Sequence, residues 1–199
     1  YIEHRSKRLK TQSLTKILII FSVLLLCVSC KSISNSDADQ IVKASIDLAQ
    51  VYIQAKQYDK AVQTYEKALS QVNDYRLIYN KAYALSLQGY YEYAAQLCKD
   101  GFKHYPNVIA FKKAQAYYLR QNGNHNAACD AYLEILQADP YDTDTAEELI
   151  SYYLELEMQD QAYEQALIMW NKGYKEKKVL ETLYQVKPEL WVNVYNLVN

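Results

Sequence analysis

The stretch "LSLQGYYEYAAQLCKDGF", Leu85 to Phe102, decides the fold because it recurs. Its counterparts are "YIQAKQYDKAVQTYEKAL" (Tyr52 to Leu69), "LRQNGNHNAACDAYLEIL" (Leu119 to Leu136) and "YLELEMQDQAYEQALIMW" (Tyr153 to Trp170). The four copies start 33, 34 and 34 residues apart. A fixed period of this size marks a stack of supersecondary units, each too small to bury its apolar face alone.

Several positions keep their character from copy to copy. The second half of each copy supplies Ala61, Ala94, Ala128 and Ala162, and the segment before each copy supplies Ala49, Ala82 and Ala116, then Ile150. Large residues recur at Tyr52, Leu85, Leu119 and Tyr153, and again at Leu69, Phe102, Leu136 and Trp170. Pro106 and Pro140 stand between copies, where proline halts a helix. In these features the chain resembles the tetratricopeptide-repeat family over about Ile41 to Lys172.

The resemblance implies an all-α solenoid of about four helix-turn-helix repeats over residues 41–173, with small side chains inside each helix pair and large ones between repeats. The fourth repeat departs from the pattern. Ile150 and Met169 replace small residues, Ala166 replaces an aromatic one, and no proline follows, as expected of a terminal repeat that closes a stack. Beyond Gly173, "KKVLETLYQV" has helical apolar spacing and "PELWVNVYNLV" opens on Pro188, a favoured first-turn residue. Residues 174–199 therefore read as capping helices with Trp191 and Leu197 in the core, whether or not they form a degenerate fifth repeat.

The first 29 residues read differently. A basic segment, "HRSKRLK", precedes the apolar run Ile17 to Val28 and then Ser29 and Cys30, the layout of a secretory signal. Twelve helical residues span roughly 18 Å, short of the roughly 30 Å of a hydrocarbon core. The sequence "LCVSC", Leu26 to Cys30, resembles the lipobox of bacterial lipoproteins, although Cys27 takes the place of the usual leucine. That resemblance implies cleavage after Ser29, acylation of Cys30 and an anchor at a cell-envelope membrane. Lys31 in place of an aspartate leaves an outer-membrane location open. The alternative is an ordinary signal that leaves Cys30 unmodified. A redox Cys-x-x-Cys needs a helix start beside a βαβ pattern and a zinc site needs a second ligand pair, and neither pattern is present. The polar stretch "KSISNSDAD" makes residues 30–40 a short tether, with Asp37 and Gln40 expected to cap the first helix.

Residues 30–199 carry 17 basic and 22 acidic side chains, a net of −5, which gives no electrostatic case for nucleic acid. Four glycines leave little room for phosphate-binding loops. His104 and His125 stand at a repeat boundary and in a turn, away from any nucleophile or metal spacing, so neither an enzyme nor a cofactor is expected. Cys98 and Cys129 are either buried thiols or, in an exported protein, a disulfide.

The chain holds 21 tyrosines. In the family the first helices of successive repeats line a concave face that holds peptides or proteins. Projected onto it, Arg76, Tyr79, Tyr83, Lys113, Tyr117 and Arg120 form the candidate docking set, rich in the residue types that anchor interfaces. Ile46, Gln50 and Tyr83 occupy positions where the family's chaperone-tail clamp needs lysine or asparagine, so that activity is not expected. The expected function is a membrane-tethered scaffold for a protein partner. An exported solute-binding module and a non-catalytic subunit of an envelope enzyme are the alternatives.

Overall fold

A computed structural model describes residues 34–198. The signal segment, Cys30 and Lys31 lie outside the described residues. Ten helices and no strands occur among those described. They are α1 (Asn35–Gln54), α2 (Tyr58–Leu69), α3 (Tyr75–Leu87), α4 (Tyr91–His104), α5 (Ala110–Gln121), α6 (His125–Ala138), α7 (Thr143–Glu155), α8 (Gln159–Asn171), α9 (Lys177–Val186) and α10 (Pro188–Val198). The chain divides into two compact units, at Ile41 and Val42.

In the first unit, α1 starts within the stretch expected to be a tether. Its cap is Ser34, not Asp37. Ser34 Oγ accepts a hydrogen bond from the Asp37 amide at 3.2 Å and donates one to Asp37 Oδ2 at 2.8 Å. Asp37 thus sits in the first turn, where a carboxylate favours the positive end of the helix dipole.

In the second unit successive helices from α2 to α10 pack on one another. The alanines explain how closely. Ala49, Ala61, Ala82, Ala94, Ala116, Ala128 and Ala162 are all fully buried, with Ile150 almost so. The large residues between repeats follow suit, with Tyr153 buried and Leu85, Leu119, Leu69, Phe102, Leu136 and Trp170 half-buried.

Each turn inside a pair uses one left-handed residue: Lys56, Gly89, Gly123 and Glu157, with φ between 57° and 82°. The next amide reaches back five residues in every case, from Gln57 to Tyr52, Tyr90 to Leu85, Asn124 to Leu119 and Met158 to Tyr153, at 2.8–3.1 Å. This arrangement satisfies helix-end carbonyls and reverses the chain in three residues. α4 and α6 stop at His104 and Ala138, just before Pro106 and Pro140.

The departures in repeat four belong to its closing contact. Ile150, Ala166 and Met169 share a core with Val179 and Leu183 of α9. Trp191 is half-buried, edge-on to Trp170 at 5.1 Å, and its Nε1 donates to Tyr163 Oη at 3.2 Å. Leu197, expected in the core, is instead 86% exposed, because α10 packs on α9 with one face only and no described element covers the other. A single residue, Lys187, joins α9 to α10, too little for the turn that the four repeats use.

Cys98 and Cys129 are free buried thiols. Burial pushes the Cys98 thiol up to about 12 and raises Cys129 as well, so both stay protonated.

Candidate docking groove

Helices α3 and α5 are the first helices of the second and third repeats, and a groove of about 560 Å3 opens between them. Four of the six predicted residues line it: Tyr79, Tyr83, Lys113 and Tyr117. Tyr91 and Tyr118 complete a set of five tyrosines.

The tyrosines differ in what holds them. Tyr79 is half-buried, edge-on to the buried Phe111 at 5.9 Å, and burial raises its hydroxyl pKa. Tyr118 is buried and hydrogen-bonds Ser86, whose Oγ donates in turn to the Tyr83 carbonyl at 2.8 Å. Burial raises the Tyr118 pKa strongly. Tyr117 stacks edge-on to Tyr118 at 5.6 Å but stays 49% exposed, and Tyr83 is 42% exposed. The groove therefore has a fixed aromatic floor and two open aromatic walls whose hydroxyls can donate hydrogen bonds.

Lys113 is placed by the next repeat. Its Nζ lies 2.7 Å from Oδ2 and 3.0 Å from Oδ1 of Asp142, which caps α7 by accepting from the Thr145 amide. Burial raises the Asp142 pKa, but Lys113 and Thr145 together hold it below the usual carboxylate range. Lys113 is still 39% exposed along its side chain, so a cation edges the groove.

Arg76 and Arg120 are outside the groove lining. Arg76 grips Asp74, the cap of α3, with Nε 3.0 Å from Oδ1 and Nη2 2.8 Å from Oδ2, and this contact holds the Asp74 carboxyl low. Arg120 ties α5 to α7, bonding Glu148 at 3.0 Å and Glu155, with its guanidinium 4.8 Å above the Tyr152 ring. Arg76 thus braces the cap of its own helix, and Arg120 joins two helices. Tyr91 and Tyr118 had no mark in the sequence, because one lies on a second helix and the other one step beyond the inward position.

Among the described residues no group of three or more His, Cys, Asp or Glu could hold a metal ion. No helix among them is long and apolar enough to cross a membrane.

No family model and no curated protein matches the chain. Solved structures do. MamA from Desulfovibrio magneticus RS-1, from residue 41 to its end, aligns over 83% of this chain and 90% of its own, at 16% identity and a TM-score of 0.59. A tetratricopeptide repeat protein from Parabacteroides merdae ATCC 43184 aligns over 75% of this chain and 61% of its own, at 15% identity and a TM-score of 0.61. The fold is the tetratricopeptide-repeat solenoid. In tetratricopeptide terms, the groove lies between the first helices of repeats two and three, and the α3 and α5 tyrosines are inward positions of those helices.

Proposed function

We propose that the chain is a non-catalytic scaffold that docks a protein segment in the tyrosine groove and is held at a cell-envelope membrane by acylated Cys30. The observation that carries the docking role is the pair Tyr83 and Tyr117, two large aromatic side chains left open to solvent on one groove while their neighbours are locked in place. Such side chains bury much area at little entropic cost, which is why tyrosine recurs as an interface anchor. The anchor rests on the lipobox-like Leu26 to Cys30 alone. Acyl chains would concentrate the scaffold near membrane partners while the groove supplies selectivity.

Crosslinking in intact cells tests the docking role. A Tyr83→Ala/Tyr117→Ala chain should lose a specific captured protein that the wild type retains, with the helical fold unchanged. Capture of the same proteins by both chains would refute it. For the anchor, Cys30→Ala should abolish metabolic acyl labelling, and labelling that persists would remove it from the proposal.

A further inference from the structure

On the face of α5 opposite the tyrosines, a second groove of about 820 Å3 runs between α4 and α6. At 3.6 residues per turn, the α5 side chains lining the two grooves point roughly 160° apart. The grooves have no lining residue in common. Charge is sorted across most of the second one: α4 contributes Lys99 and Lys103 to one wall, with Glu92 near the start of that helix, α6 contributes Asp130 and Glu134 to the other, and Lys112 and Leu119 of α5 lie between. Lys99, Lys103, Asp130 and Glu134 are all exposed. An occupant of one sign would be repelled by one wall, so the groove fits a helix with an acidic edge and a basic edge.

The chain carries such a helix. On the exposed arc of α2, Asp59 and Glu66 stand seven residues apart along one edge, Lys60 and Lys67 along the other, and Gln63 between them. We propose that α2 of one copy lies in the α4–α6 groove of a second copy, with its acidic edge toward Lys99 and Lys103 and its basic edge toward Asp130 and Glu134. Some of these charges are shared within the chain: Glu66 bonds Lys81 at 2.8 Å, Lys103 bonds Asp100 at 3.0 Å and Glu134 bonds Lys112 at 3.1 Å. Asp59, Lys67, Lys99 and Asp130 make no ion pair among the described residues. Exposed pairs are individually weak and screened by salt, so the association is weak and ionic-strength dependent. It leaves the tyrosine groove clear, so associated copies present several docking grooves side by side and gain avidity for a multivalent partner.

The test is sedimentation equilibrium of the full chain. At low salt the weight-average mass should rise above that of the monomer as concentration approaches about 1 mM, and about 0.5 M NaCl should return it to the monomer. Lys99→Glu/Lys103→Glu and Asp59→Lys/Glu66→Lys should each weaken association at least about tenfold. Mixed together they should associate again, since one variant keeps α2 and the other keeps the groove. A second groove variant, Asp130→Lys, should behave as the first does. A monomeric wild type, association indifferent to the reversals or to salt, or a mixture of folded variants that stays monomeric would overturn the proposal.

Discussion

A Cβ placed on Gly101 would stand 2.6 Å from Cε1 of Phe111, so α4 and α5 meet with no room for a methyl group. Phe111 is fully buried and touches Tyr79 beneath the tyrosine groove, which makes this contact the foundation of the groove floor. Gly101→Ala should therefore cost about 1–3 kcal/mol, the usual range for overpacking, despite the better helix propensity of alanine. Thermal melts would show it, and Phe111→Leu in the same chain should recover part of the loss. An unchanged melting temperature for Gly101→Ala would contradict the close approach.

Ala94→Leu applies the same reasoning within a helix pair. Ala94 is fully buried beside Ala82 in one core, so a larger side chain must separate α3 from α4. A loss of about 1–3 kcal/mol is expected in denaturant titrations.

Glu157 turns the chain between α7 and α8 at φ 58°, a conformation that glycine adopts at the matching position 89. Left-handed backbone costs an L-residue about 1–2 kcal/mol and glycine loses about 0.5–1 kcal/mol in chain entropy, so Glu157→Gly should stabilise by about 0.5–1 kcal/mol. A lower melting temperature for this variant would count against the turn geometry.

The two cap carboxylates predict the response to acid. Asp142 and Asp74 are both held below the usual carboxylate range in the folded chain. The folded state thus binds these protons less readily than the unfolded one. The stability they provide is complete above the unfolded value of about 3.9 and is lost as pH falls through the lower folded values. Asp142→Asn keeps a capping oxygen and removes the charge. Its unfolding midpoint should fall below the wild type at pH 7 and converge toward it in acid.

Arg120 and the open tyrosines should separate stability from docking. Arg120→Ala removes two carboxylate contacts and a cation–π contact between α5 and α7, so it should lower the melting temperature through a loss of about 1–3 kcal/mol. Tyr83→Ala/Tyr117→Ala changes exposed side chains and should leave the melt nearly unmoved. The reverse pattern would show that the two roles are exchanged.

What was legible in the sequence was what packing dictates locally. Ala61, Ala94, Ala128 and Ala162 announce the repeat because two helices in close contact tolerate nothing larger, and that demand recurs wherever the pair recurs. The bonds of Arg120 to Glu148 and Glu155, 28 and 35 residues away, were not legible, since periodicity does not encode which carboxylate a long side chain will find. Leu197 was misread for a related reason. Helical spacing identifies an apolar stripe, but whether anything covers it depends on the neighbouring elements. The cap expected at Asp37 falls on Ser34 instead, since both residue types cap helices and only the backbone shows which stands outside the first turn.

Since successive helices of the second unit pack on one another, the tyrosine groove depends on α3 to α5 and on the Asp142 that places Lys113. A further helix pair inserted before the closing fourth repeat's contact with α9 would lengthen the array without redrawing that groove. The length of the array and the lining of the groove can thus vary independently in this architecture, one by counting repeats and the other by exchanging a few tyrosines.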